Sequence, residues 1–252
     1  DASNMNALAI KEGDHYIING TKNWVTNGIH ADYVLLFAIT KPGVGHKGIS
    51  CFIIEKEWDG FDIGKPENKM GWKGSDTRSL FFEDMKIPKS NILGKPDKGF
   101  KQFLATLTIG RISISALALG NAIGAYDIAL KYSDEREAFG KKINKFQAVS
   151  FKLADMETQI QASRQLIYHA AWLKDNKKDV IKDAAIAKLF SSEAAMKITT
   201  EAIQIHGGFG YIREYNVERF FRDAKILEIG EGTSEVQRIV ISREILKSLK
   251  DQ

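Results

Sequence analysis

From residue 100 onward, apolar residues return every three or four positions, over 100–132, 146–173, 180–205 and 236–249. That spacing gathers them on one side of a helix, so it predicts four amphipathic helices sharing a core. The first hundred residues keep a different rhythm. Short runs rich in β-branched and aromatic residues at 33–40, 49–55 and 78–83 predict strands. Residues 15–18 and 21–26 flank Asn19-Gly20, a pair suited to the two positive φ angles of a type I′ turn, so this segment predicts a hairpin. The expected fold class is therefore α+β and multidomain. An antiparallel β-domain spans 1–98, and an up-down four-helix bundle follows over 99–252. Proline supports the division, because Pro42, Pro66, Pro88 and Pro96 are the only prolines and a proline-free stretch permits long helices. Asn144 and Asp179 suit helix N-caps, Gly207-Gly208 suits a helix stop, and Ser234-Glu235-Val236-Gln237 matches a capping box.

Composition narrows the class. With 252 residues, 44% hydrophobic and 27% charged, the chain can build a sizeable core and is neither collagenous nor disordered. No unbroken apolar run approaches the roughly 18 residues of a membrane span, so no membrane partner is expected. The single cysteine, Cys51, excludes an intrachain disulfide framework and points to a reducing compartment. Residues 1–98 carry 13 basic and 13 acidic side chains, so the net +4 resides in 99–252. No dense basic tract concentrates it, which argues against a nucleic-acid partner. The chain opens on Asp1 with no signal-like segment behind it, so its start is expected to lie inside a longer polypeptide.

Several short motifs bear on chemistry. Gly43-Val44-Gly45-His46-Lys47-Gly48 fits G-x-G-x-x-G but precedes another strand rather than a helix, so it reads as a hairpin loop and not a dinucleotide fingerprint. Trp24-Val25-Thr26-Asn27-Gly28 offers a flat aromatic surface and a hydroxyl at a strand end, which also suits simple packing. Arg136 lies in a helix-to-helix connection, Arg136-Glu137-Ala138-Phe139-Gly140-Lys141, where it is either a solvated charge or a bidentate phosphate partner. Gln204-Ile205-His206-Gly207-Gly208-Phe209-Gly210 ends a helix with amides that a phosphate can approach. His206 has no ligand partner at metal spacing, so it reads as packing or surface, and no metal site is expected. Glu231-Gly232-Thr233 stands just before a capped helix. The glutamate either complements the helix dipole or serves as a fixed proton acceptor beside a glycine that admits substrate.

The order of these motifs is specific. K-N-W-V-T-N-G, R-E-A-F-G-K, Q-I-H-G-G-F-G-Y, R-D-A-K-I and E-G-T-S-E-V-Q-R together resemble the acyl-CoA dehydrogenase family of flavoenzymes, nearest to its short-chain, butyryl-type members. The resemblance implies that an N-terminal helical domain and a loop contacting the flavin precede residue 1, so residues 1–252 alone are expected to be inactive. It implies FAD as cofactor, an acyl-CoA substrate oxidised to the trans-2-enoyl-CoA, electron-transferring flavoprotein as electron acceptor, and a homotetramer. It places the α-proton base at Glu231, the flavin-ring contacts at Trp24 and Thr26, and an acyl-CoA contact at Arg111 and Gly232. Arg136, Phe139, Gln147, Gln204, Gly207 and Gly208 match residues that hold the pyrophosphate and adenosine, largely of a neighbouring subunit, and Thr233 matches a further FAD contact. The family's alternative base position is Gly110, which has no side chain to act. Gly230 stands where many short- and medium-chain members have Tyr, and Thr108 where close relatives have Asp. The same fold also hosts acyl-CoA oxidases, nitroalkane oxidases and a DNA-binding branch. A bacterial source would imply the cytoplasm and a eukaryotic one the mitochondrial matrix.

Overall fold

A computed structural model of the protein describes residues 5–249. The chain forms two compact units, 1–106 and 107–252, and each is described by itself.

The first unit is a six-stranded sheet. Its strands are β1 (Leu8–Glu12), β2 (His15–Thr26), β3 (Tyr33–Ile39), β4 (Ile49–Glu55), β5 (Phe61–Ile63) and β6 (Thr77–Pro88), in the order β4-β3-β1-β2-β6-β5. Four of the five pairings are antiparallel. The fifth, β1 with β3, is a short parallel contact at Leu8 and Ile39, so the sheet is mixed. Alternate residues of β1, β2, β3, β4 and β6 point inward and bury Ala9, Ile18, Leu36, Phe52, Leu80 and Met85 in one core. The Gly43–Gly48 segment does connect two antiparallel strands, as its sequence predicts.

The predicted hairpin at Asn19-Gly20 does not form. β2 runs straight through it as one 12-residue strand, and the hairpin partner of its first half is β1. Gly20 sits instead at a break in the β2–β6 register, with φ +139°, and a Cβ there would lie 2.7 Å from the Cα of Ala7. Its glycine therefore permits a close backbone approach rather than a turn. Paired left-handed angles occur elsewhere, at Phe139 (+52°) and Gly140 (+79°), the tip of a small ribbon of β7 (Glu137–Ala138) and β8 (Lys141–Lys142) in the second unit.

The long helices are α1 (Gly99–Glu135), α2 (Gln147–Asp175), α3 (Ile181–His206) and α5 (Ser234–Ser248). The division between units falls inside α1, whose Phe103 packs edge-on against Phe37 of β3 in the first unit. In the second unit Ile167 and Ala170 of α2 meet Val180, Ala184 and Ala187 at the start of α3, with Ile112 and Leu119 of α1 packed against them. A fifth helix, α4 (Val217–Ala224), was not predicted, because eight residues are too few to show a helical period. α1 contains an 18-residue window apolar enough, by length and composition, to cross a membrane, and only 17% of that window is buried. Counting unbroken apolar runs missed it, since such runs stop at every glycine and serine.

Three caps differ from expectation. Asn144 donates to Asp134 (2.9 Å) and α2 begins after Phe146. At α5 the cap is Thr233, whose hydroxyl accepts from the Val236 amide, while Ser234 is already helical and buried. At α3 the N-cap is Val180, and Asp179, one residue earlier, accepts from the Ile181 amide (3.0 Å); Gly207 (φ +58°) ends α3 as expected.

Candidate active site

The chain enters α5 through a corner in which both Glu231 (φ +55°) and Gly232 (φ +93°) are left-handed. Glycine adopts this region freely; a glutamate there is held by its surroundings at a cost of about 1–3 kcal/mol. The holding groups are visible. The Lys188 ammonium donates to the Gly232 carbonyl (2.8 Å), and the Gln237 amide donates to that same oxygen (2.8 Å) and to the Glu231 carbonyl (3.3 Å).

The Glu231 carboxylate occupies a notch on α1. A Cβ at Gly110 would lie 2.7 Å from Oε2, so the missing side chain at 110 is what makes room. Arg111 is buried beside it, with Nε unpartnered. Burial raises the Glu231 carboxyl above the ordinary carboxylate range, and the positive charges of Arg111 and Lys188 oppose that rise. A place at the mouth of α5 acts in the same direction as those two charges. Burial likewise depresses Lys188, to about 8, and lowers Arg111. A carboxylate made more basic and fixed at a backbone corner can act as a general base.

A second place lies at the end of α3. A cavity of about 480 Å³ is lined by Tyr132, Arg136, His206, Gly207, Gly208 and Phe209, among others. His206 is structural: buried, stacked on Tyr132 (4.2 Å between ring centres) and donating Nδ1–H to the Ala202 carbonyl (2.8 Å), with burial lowering its pKa. Arg136 is exposed, its guanidinium 5.6 Å from the centre of the Phe209 ring. At Gly207 and Gly208 an added Cβ would meet nothing within 4 Å, so their backbone faces open space. Gln204, on the last turn of α3, is exposed, as are Gln147 at the start of α2 and Phe139, 96% accessible at the ribbon tip. These three do not line the cavity that Arg136, Gly207 and Gly208 share.

In the first unit Trp24 (φ +55°) projects from a bulge where the β2–β6 register breaks between Lys22 and Val25, and its indole is 73% exposed. Thr26 ends β2, opposite Thr77.

Residues 1–85 match the acyl-CoA dehydrogenase middle domain, and residues 97–246 match the acyl-CoA dehydrogenase C-terminal domain. The chain belongs to the acyl-CoA dehydrogenase family. It is 52% identical to a probable acyl-CoA dehydrogenase of Bacillus subtilis over 98% of its own length and 65% of that protein's. It is 45% identical to a subunit of the caffeyl-CoA reductase–Etf complex of Acetobacterium woodii, again over 98% and 65%. Butyryl-CoA dehydrogenase of Megasphaera elsdenii superposes with a TM-score of 0.96 at 49% identity, covering 98% of this chain and 64% of that one. The chain thus spans just under two thirds of these family members.

Lys188 and Gln237 escaped the sequence reading. The signal for Lys188 was present: it lies on the stripe formed by Ala184, Ser191, Ser192 and Ala195, at spacings of three, four and seven, all of them buried. A charged residue on a buried stripe of small residues has a partner to be found.

Proposed function

We propose that the full-length protein is an FAD-dependent acyl-CoA dehydrogenase that oxidises a short-chain acyl-CoA to the trans-2-enoyl-CoA, with Glu231 as the base that takes the α-proton. The observation that carries this reading is the Glu231 carboxylate, made more basic by burial and aimed into the notch left by Gly110. A carboxylate whose proton affinity is raised by burial is a stronger proton acceptor than a solvated one. Gly232 turns the backbone at the corner, where a Cβ would lie 2.9 Å from the Gln237 amide nitrogen, and Arg111 supplies a buried positive charge beside the carboxylate.

The second unit suits the cofactor. An exposed guanidinium shares one cavity with two side-chain-free residues that leave a pyrophosphate room to approach it, although the Gly207 amide itself is spent on the Gln204 carbonyl. Arg136, Gly207 and Gly208 would hold that anion, largely for the FAD of a neighbouring subunit, with Phe139, Gln147 and Gln204 as further contacts; Thr233 would be a further FAD contact, and Trp24 and Thr26 would meet a flavin ring. When bound, FAD supplies the acceptor for the β-hydride. Electron-transferring flavoprotein as its oxidant is supported by the Acetobacterium relative, whose name places it in a complex with such a protein. A homotetramer is supported by apolar side chains left uncovered on α1 and α2, including Ile109, Leu117, Phe151 and Trp172.

Short-chain preference rests on the likeness to butyryl-CoA dehydrogenase. The test is an anaerobic titration of the full-length flavoprotein with C4, C8 and C16 acyl-CoA, followed by loss of the flavin's visible absorbance. Bleaching with a kcat/KM that favours C4 is expected. Preference for C8 would remove the chain-length assignment, and no bleaching with any thioester would remove the activity.

A further inference from the structure

Two donors from different helices converge on one backbone oxygen. Lys188, from the middle of α3, and Gln237, from the first turn of α5, each reach the Gly232 carbonyl at 2.8 Å, and Gln237 also spans back to the Glu231 carbonyl. Both side chains have 0% exposure. The peptide they grip is the one that needs support, because Glu231 and Gly232 are consecutive residues in the left-handed region. Burying an ammonium among alanines and serines is costly, and one bond to a neutral carbonyl does not repay it. A leucine would pack there at less cost, so the use of the charge lies with its neighbours.

We infer that Lys188 and Gln237 are positioning residues that clamp the Gly232 carbonyl, hold the left-handed corner shut, and so aim the Glu231 carboxylate. The inference rests on the reading of Glu231 as the base. Lys188 adds a second effect, since its positive charge favours the ionised carboxylate. The charged groups facing Lys188 are Glu228, Glu231, Glu235 and Arg111, drawn from the turn before α5, the corner, α5 and α1. Gln237, being neutral, holds geometry alone. The two donors are therefore separable: both should govern rate, and one should also govern proton affinity.

The test uses the full-length flavoprotein with Lys188→Met and Gln237→Met. It reads kcat, KM, flavin content and the infrared titration of the Glu231 carboxyl, taken as the difference from Glu231→Gln. Both substitutions should lower kcat by about 10- to 100-fold, with KM changed less than about threefold and flavin content intact. Lys188→Met should also move the carboxyl titration to higher pH, and Gln237→Met should leave it in place. A folded Lys188→Met with the parent kcat and parent titration overturns the inference. If Lys188→Met does not fold, Gln237→Met decides, and parent kcat in that variant overturns the clamp. If the parent protein turns over no acyl-CoA, the functional reading fails, and the infrared titration still judges Lys188: an unmoved carboxyl overturns its role.

Discussion

Around Glu231 buried side chains hold the backbone, whereas at the end of α3 the polar groups face outward. The corner draws Lys188, Gln237 and Arg111 into the interior, and its backbone carbonyls are taken up by buried donors. At the cavity Arg136 is exposed, and Gly207 and Gly208 border open space. The difference follows from what each place does. A base must be aimed before substrate arrives, so its supports are internal and its desolvation is built in. An anion-binding surface must keep its charge available, so the Arg136 guanidinium stays exposed until the ligand comes, while the Gly207 amide is already spent on the Gln204 carbonyl.

The contrast can be broken from either side. The largest effect is expected at Glu231. In the full-length protein Glu231→Gln should lower turnover by about 10²- to 10⁴-fold while the purified protein keeps its yellow flavin, read from the visible spectrum. Loss of flavin in that variant would merge the two places into one. Arg136→Ala should do the converse, weakening flavin affinity about 10- to 100-fold, the size of a hydrogen bond to a charged group. Equilibrium dialysis measures it, and the melting temperature of the flavin-free protein should not move. Gly110→Ala sharpens the comparison within the corner. Its Cβ would fall 2.7 Å from Oε2, so the carboxylate must shift, and kcat should drop by about tenfold with flavin content unchanged.

The smallest effect concerns stability. Burial raises the native Glu231 carboxyl above its value in the unfolded chain. Between the two values the native state is protonated and the unfolded state is not, so stability falls as pH rises through that window. The full cost is present above it. Glu231→Gln should therefore melt about 2 °C higher at neutral pH, with the gap closing below the unfolded-chain value near pH 4.3. Calorimetry at pH 4 and pH 7.5 checks the sign. A gap that widens in acid would mean that Arg111 and Lys188, not desolvation, govern this carboxyl.

The helices were legible because a bundle repeats its rule over 15 to 37 residues, long enough for a 3.6-residue period to stand out. The hairpin was not, because Asn19-Gly20 has the composition of a turn while its glycine serves the approach of Ala7. Composition specifies which angles are permitted, not which neighbour requires them. At the candidate site, the carboxylate and glycine before a capped helix could be seen in the sequence. Their left-handed angles and the two donors behind them could not, since Lys188 lies 44 residues from the carbonyl it holds.

Trp24 stands out in one further respect. It is one of four tryptophans, and its bulge lifts the indole into water. Trp58 packs against the first unit's core, and Trp172 lies beneath the Lys178 ammonium at 4.3 Å. Water-facing indoles emit at longer wavelength and are reached by iodide, so Trp24, 73% exposed, and Trp172, 50% exposed, supply the red, quenchable part of the protein's fluorescence. A planar group laid across the Trp24 indole would extinguish its share and leave that of Trp172 standing. The strand end thus carries its own optical gauge of whether anything has settled upon it.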